Sequence, residues 1–221
     1  MKRLLVLRPE PGASATVANA RERGLDAVAV PLFEVEPVAW KAPELAGFDG
    51  LLLTSANAVR CAGEGLEALR GLKAYAVGDA TAKAARDAGF DIAATGDAGV
   101  ERLLGSIEPD LKLLHLSAED RREPDGANQE ITAIPVYRSK PVDKPGLGDT
   151  NGVLALIHSP RAGRRFAELV GDRRATSIAA ISEAAAQAAG QGWAHVEWAE
   201  QPNDDALLAL AASLCDKSDP K

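Results

Sequence analysis

The chain carries an internal repeat with a constant offset, and this repeat constrains the fold more than any other feature. Leu-Thr-Ser-Ala-Asn-Ala (53–58) and Ile-His-Ser-Pro-Arg-Ala (157–162) each place a serine at the end of an apolar run of strand length. Residues 55 and 159 are 104 apart, and so are the starts of the segments 76–82 and 180–186. Two strand–turn–helix units that keep one spacing favour two related lobes over a single large sheet. The 221 residues suffice for two domains of about 100 residues each.

Apolar runs of strand length recur along the chain, and alanine-rich stretches with helical character separate most of them. Most runs are continuously apolar, which is typical of parallel strands covered by helices on both faces. The pattern therefore predicts an α/β fold of two similar flavodoxin- or Rossmann-like parallel-sheet lobes with a ligand cleft between them. The predicted strands are 4–7, 27–31, 50–53, 73–77, 111–116, 131–137, 153–157, 177–181 and 195–198. The first helix is predicted over 14–23, with Ser14 as its N-cap and Gly24 just past its end.

Two short segments alternate apolar and polar residues and end near a proline, at 33–39 and 135–141. Such segments are typical of exposed strands, so we expect them to pair as a two-stranded antiparallel connector. The chain would then leave lobe one after residue 34, build lobe two over 40–134, and complete lobe one with 142–221.

Composition excludes several classes of protein. A net charge of −7 argues against a nucleic-acid partner, because phosphate neutralisation needs clustered Lys and Arg. No apolar run approaches the roughly 20 residues of a membrane helix, and the apolar run at the N-terminus is too short for a signal peptide. Cys61 and Cys215 are interpreted as reduced thiols of a cytoplasmic protein.

In parallel α/β sheets, ligands bind beyond the carboxyl ends of the strands, where loops lead into helix N-termini. Hydroxyls there are more often N-caps, but several helix N-termini together would form a receptor for carboxylates, to which arginines add positive charge. The candidate binding residues are Arg8, Thr54, Ser55, Asn57, Gly78, Thr81, Ser117, Ser159, Arg161 and Ser182.

Signatures of cofactor and metal sites are missing from the sequence. It has no glycine-rich dinucleotide motif, no P-loop and no cysteine cluster. His115, His158 and His195 lack metal-ligand spacing, and a structural role is the better interpretation even for His158, which precedes Ser159. Tyr137, one of two tyrosines, is a candidate site residue, although half-buried strand aromatics are common.

Taken in order, the motifs resemble the uroporphyrinogen-III synthase family over nearly the whole chain. They are Leu-Arg-Pro (7–9), Thr-Ser-x-x-Ala-Val (54–59), Ala-Val-Gly-x-x-Thr-Ala (76–82), Val-Tyr-Arg-Ser (136–139), Ser-Pro (159–160) and Gln-Pro-Asn-Asp (201–204). The resemblance implies two α/β lobes joined by a two-stranded ladder, an active site in the cleft, no cofactor and no metal, and a monomeric enzyme. It also implies that the enzyme cyclises hydroxymethylbilane, a linear tetrapyrrole with eight carboxylates, to uroporphyrinogen III.

The resemblance also assigns roles to residues. Tyr137 would assist departure of the terminal hydroxyl, and Ser55, Thr81 and Ser159 match the family's hydroxyl positions. The repeat copy at 182–186 departs from the family's Gly-x-x-Thr-Ala, because Ser182 replaces the glycine and Ala185 replaces the threonine. Glu183 adds negative charge there, and Asn57 stands where some members have arginine. We therefore expect the two lobes to bind substrate unequally.

Two other interpretations remain open on the sequence alone. One is a non-enzymatic, two-lobed protein that binds a small molecule; the lack of a signal peptide disfavours its exported form. The other is an α/β enzyme that uses a nucleotide or a sugar phosphate, which the lack of a phosphate loop disfavours.

Overall fold

The computed structural model describes residues 2–96, 99–121 and 123–216. Its contacts divide the chain into unit 1, Met1–Glu34 with Pro141–Lys221, and unit 2, Val35–Lys140. The strands are β1 (Leu4–Val6), β2 (Ala27–Ala29), β3 (Phe33–Pro37), β4 (Gly50–Leu53), β5 (Lys73–Val77), β6 (Ile92–Gly96), β7 (Lys112–Ala118), β8 (Glu130–Pro141), β9 (Leu154–Ile157), β10 (Ser177–Ala180) and β11 (His195–Trp198). The helices are α1 (Gly12–Glu22), α2 (Ala56–Cys61), α3 (Asp79–Asp87), α4 (Val100–Gly105), α5 (Pro160–Leu169), α6 (Glu183–Ala188) and α7 (Asp204–Asp216), with 3₁₀ turns at Leu45–Gly47 and Gly63–Leu69.

Unit 1 contains a five-stranded sheet in the order β11-β10-β9-β1-β2. The pairs within it are parallel. Strands β1, β9 and β10 are buried at every position, and separate apolar clusters cover the two faces of the sheet. Burial on both faces explains why these strands are continuously apolar in the sequence.

Unit 2 contains a six-stranded sheet in the order β3-β8-β7-β4-β5-β6. The strands from β8 to β6 are paired in parallel. The two sheets have the same topology. The order β8-β7-β4-β5-β6 in unit 2 corresponds, strand by strand, to the order β2-β1-β9-β10-β11 in unit 1. The register keeps the repeat as well, because Gly50 lies opposite Lys73 in one sheet and Leu154 lies opposite Ser177 in the other. The predicted α/β class is confirmed.

Some local predictions are wrong. Helix α1 begins at Gly12, not Ser14; the Glu10 carboxylate accepts a hydrogen bond from the Ser14 backbone N–H at 3.0 Å, which satisfies one of the free N–H groups of the first turn. Gly24 does follow the helix end, with φ of +76°. Strand β6 was not predicted, and the segments 131–137 and 135–141 form one continuous strand, β8.

The two cysteines are both free thiols, and they lie in the helices α2 and α7. Across the three described ranges, no helix combines the length and apolar character needed to cross a membrane.

Candidate active site

The carboxyl end of β4 presents two hydroxyl groups in unit 2. The Ser55 Oγ atom caps helix α2 by accepting a hydrogen bond from the Asn57 backbone N–H at 3.2 Å. Thr54 Oγ1 lies 3.0 Å from Nε2 of His115, which is buried on the neighbouring strand β7. The predicted N-cap role of Ser55 is therefore confirmed. Because a hydroxyl that accepts a bond keeps its own hydrogen, Ser55 has one hydrogen left to donate.

A β-bulge places Tyr137 beside this edge. Ser117 and Ala118 are consecutive on β7, but they pair with Pro135 and Tyr137 on β8, so Val136 is the extra residue. Pro135 has no N–H to donate to a ladder, and bulges are common where a strand contains proline. As a result Val136 and Tyr137 both pack against the same apolar cluster, although adjacent strand residues normally face opposite sides.

The Tyr137 phenol is held in its protonated form. Burial raises the pKa of Tyr137, the side-chain hydrogen bond with Ser55 lowers it, and the nearby charges of Asp120 and Cys61 raise it. The net direction is upward, so the group is neutral at physiological pH and can donate a proton or a hydrogen bond. Tyr137 is partly exposed, which leaves it within reach of a ligand.

The other candidates in unit 2 have different surroundings. Gly78 precedes α3 with φ of +82°, a conformation that favours glycine. Thr81 is buried in α3, and Ser117 is buried with its hydroxyl donating to the Ala118 carbonyl at 3.1 Å. Asn57 Oδ1 accepts a hydrogen bond from the Arg60 guanidinium within the same helix.

Unit 1 repeats the arrangement of serines at helix starts. The Ser159 hydroxyl accepts a hydrogen bond from the Ala162 backbone N–H at 3.1 Å and caps α5. The Ser182 hydroxyl accepts one from the Ala185 N–H at 3.3 Å and caps α6. Each serine lies two residues past the end of a strand, β9 or β10, at the carboxyl edge of the sheet. Each helix start also carries a partial positive charge that favours anions.

Arginines supply positive charge near these helix starts. The Arg161 guanidinium carbon lies 4.5 Å from the centre of the Phe33 ring, in a cation–π contact. Arg8 follows β1 and donates from Nη1 to Asp204 Oδ1 and to Thr16 Oγ1, each at 3.4 Å.

A polar cluster of Arg8, Thr16, His158 and Asp204 lies in unit 1, and sequence reasoning did not find it. His158 Nε2 is 2.9 Å from Asp204 Oδ1, and the Thr16 hydroxyl donates to Asp204 Oδ2 at 2.9 Å. Thr16 and Asp204 are 188 positions apart, so no local motif indicated their contact. The sequence motifs contained Arg8, His158 and Asp204 separately, but nothing in them indicated that the three side chains meet.

Burial and hydrogen bonding set the charges in the cluster. Burial lowers the pKa of His158 more than its hydrogen bond with Asp204 raises it, so the imidazole is neutral at physiological pH. Burial alone would raise the pKa of Asp204, but hydrogen bonds from His158 and Thr16 and the charge of Arg8 lower it overall. The cluster thus holds a carboxylate and a guanidinium beside a neutral imidazole.

Within the described ranges, no three His, Cys, Asp or Glu side chains are grouped so that they could hold a metal ion. Besides the Asp204 carboxylate and the His158 imidazole, the candidate residues at the two carboxyl edges offer hydroxyls, backbone N–H groups, an amide, arginines and a phenol. Such a set can bind anions and donate protons.

Comparisons with known proteins agree on one family. The family model described as uroporphyrinogen-III synthase HemD matches residues 14–209. A uroporphyrinogen-III synthase from Chlorobaculum parvum is 29% identical over an alignment of 216 positions that covers 82% of this chain and 85% of that protein.

Solved structures show the same fold. The crystal structure of uroporphyrinogen-III synthetase from Helicobacter pylori matches with a TM-score of 0.69 and 19% identity, over 97% of this chain and 100% of that one. A mutant uroporphyrinogen III synthase from Thermus thermophilus matches with a TM-score of 0.58 and 19% identity, over 98% and 100%. Because the family model spans most of its length, the chain belongs to the uroporphyrinogen-III synthase family.

Proposed function

We propose that this chain cyclises hydroxymethylbilane to uroporphyrinogen III, with Tyr137 as the group that assists loss of the terminal hydroxyl. Family membership supports the reaction, and one observation supports the residue. The phenol of Tyr137 is kept protonated by burial, is partly exposed, and stands beside Ser55 at the carboxyl edge of the unit 2 sheet.

The chemistry needs few protein groups. An electron-rich pyrrole expels its hydroxyl as water when a proton is supplied, and an azafulvene cation remains. Ring D is then attacked at its substituted carbon, a spiro intermediate forms, and the ring is inverted as the macrocycle closes. The proton that completes the leaving water comes from the Tyr137 phenol, whose hydrogen bond with Ser55 favours the phenolate left behind. The remaining task of the protein is to hold a flexible chain in the folded geometry.

Eight substrate carboxylates must be bound by a chain of net charge −7. Groups at the binding site therefore have to create a positive electrostatic potential that attracts the carboxylates. We assign this task to the helix starts after Ser55, Gly78, Ser159 and Ser182 and to Arg8 and Arg161. Thr54, Asn57, Thr81 and Ser117 complete the set, the last two from buried positions.

One substrate contacting the carboxyl edges of both sheets is part of the same proposal. The cleft between lobe one (1–34 and 142–221) and lobe two (40–134) stays a prediction. For the connector, the Val38 N–H donates to the Val136 carbonyl at 2.9 Å and the Val142 N–H to the Leu32 carbonyl at 3.0 Å. As residue numbers rise on one segment they fall on the other, which supports antiparallel pairing.

We further propose a cytoplasmic monomer that uses no cofactor and binds neither nucleic acid nor membranes.

Isomer analysis tests the reaction. Hydroxymethylbilane is generated enzymatically, this chain is added, and the oxidised products are separated. A dominant type III isomer supports the proposal. If the product is only the type I isomer, which forms spontaneously, the chain does not catalyse the reaction and the alternative of a small-molecule binding protein gains support.

A further inference from the structure

Arg8 is a long side chain at the carboxyl end of β1, and its position needs an explanation. Its side chain is 37% exposed, so it reaches solvent at the edge where ligands bind in parallel sheets. Among described residues, both of its hydrogen bonds leave from Nη1. The other N–H groups of the guanidinium are the donors left for a carboxylate; Nε and Nη2 both lie close to the backbone of Gly12.

The Asp204 carboxylate, which accepts a hydrogen bond from Arg8, is itself held by two buried side chains. Asp204 accepts hydrogen bonds from Thr16, which is fully buried, and from His158, whose side chain is 6% exposed. Thr16 lies in α1 and His158 directly follows β9, so two separate elements fix the position of the Asp204 carboxylate. A fixed acceptor restricts the rotamers of the arginine, which otherwise loses considerable entropy on binding.

The backbone beside Arg8 is shaped to admit its side chain. A Cβ atom added at Gly12 would lie 2.6 Å from Nε and 2.9 Å from Cζ of Arg8. Gly12 does not have a positive φ, so its backbone conformation does not require glycine. The missing side chain is therefore explained by the space that Arg8 occupies.

From these contacts we infer that Asp204, anchored by Thr16 and His158, is a positioning residue that holds the Arg8 guanidinium in place for a substrate carboxylate. This inference rests on the proposed binding role of Arg8 and extends it to three residues that do not touch substrate. Asp204 acts through Arg8 and through no reacting atom.

Two variants move Arg8 or its anchor without changing charge. Gly12→Ala should displace Arg8 and raise KM about tenfold, with kcat nearly unchanged, because uniform substrate binding is lost. Alanine also suits a helix better than glycine, so the thermal midpoint should not fall. Thr16→Val removes the anchoring hydroxyl and should raise KM, whereas Thr16→Ser, which keeps that hydroxyl, should restore it.

A third variant distinguishes positioning of Arg8 by Asp204 from a purely electrostatic effect of Asp204 on substrate binding. Asp204→Asn makes the edge more positive, so electrostatics alone predicts tighter binding of an anionic substrate, and positioning predicts a higher KM. Asp205→Asn is the matched control, because Asp205 lies in the same helical turn and pairs with Arg23 at 2.6 Å, but its side chain is 84% exposed. Its KM should equal that of the wild type.

The readouts separate this inference from the proposed function. Initial rates of type III formation give KM and kcat, and a titration with uroporphyrin III gives an independent Kd. A wild type that forms only the type I isomer contradicts the proposed function. Folded Gly12→Ala and Asp204→Asn proteins that bind uroporphyrin III as tightly as the wild type overturn the positioning role, as does a Thr16→Ser variant that behaves like Thr16→Val.

Discussion

The Thr54 hydroxyl lies 3.0 Å from Nε2 of His115, so a residue of the proposed binding edge contacts a buried histidine on the next strand. Burial, with a contribution from the charge of Arg121, lowers the pKa of His115 from 6.5 to about 4. The imidazole therefore stays neutral in the folded protein under conditions in which the unfolded chain takes up a proton.

This difference predicts a loss of stability in acid. Between pH 6.5 and about 4 the unfolded state binds a proton that the folded state does not, so the free energy of unfolding falls as pH falls through this window. His115 alone should contribute about 3 kcal/mol by pH 4. Urea unfolding at several pH values measures it. His115→Gln should flatten the curve; a variant whose curve is as steep as that of the wild type would refute the assignment.

Tyr137→Phe should reduce kcat by a factor of about 100 or more, the usual contribution of a positioned proton donor. Stability should change little, because the ring and its packing against the core are retained. The matched control is Tyr75→Phe, which removes the other tyrosine hydroxyl from the same unit. If Tyr137→Phe turns over as fast as Tyr75→Phe, Tyr137 has no part in the reaction.

Ser55→Ala should raise the pKa of Tyr137 further, because the Ser55 hydrogen bond lowers it in the native protein. Spectrophotometric titration of the phenol, in a Tyr75→Phe background, would show the shift. Ser182→Ala also deletes an N-cap, at a stability cost of about 1 kcal/mol, and serves as the control. A Tyr137 pKa that is the same in both variants would contradict the contact with Ser55.

Gly163→Ala should destabilise the protein by about 1–3 kcal/mol, the range for overpacking. A Cβ atom at this position would lie 2.8 Å from the Ala185 carbonyl oxygen and 3.0 Å from the Ala189 nitrogen, both of them backbone atoms that cannot rotate away. Gly105, at the end of α4, meets nothing within 4 Å and is the control. Gly105→Ala should be neutral or slightly stabilising; similar losses in the two variants would contradict the close contact of α5 with α6.

The sequence predicted what local rules determine. Continuous apolar runs identified the buried parallel strands, and serines at strand ends identified the N-caps of α2, α5 and α6. The expected charge difference between the repeat copies is not present at the helix starts. Asp79 begins α3 just as Glu183 begins α6, so both copies carry an acidic residue in the first turn.

Long-range contacts and irregular backbone lay beyond such rules. The contact of Thr16 with Asp204 depends on bringing α1 and α7 together, and the residues that flank either one in the sequence do not indicate this contact. The bulge at Val136 depends on how β7 and β8 align, although Pro135 was a visible hint. Strand β6 was missed because its residues alternate between partly buried and exposed and are rich in alanine, a weak strand former.

The claim that one tetrapyrrole contacts both sheets is tested most directly by amide hydrogen exchange with and without uroporphyrin III, the oxidised product. The account predicts slower exchange at the starts of α2 and α5, one in each unit, and no change at the edge strand β11, which serves as an internal control. Slower exchange confined to one unit, or found only at sites away from both helix starts, would contradict the claim.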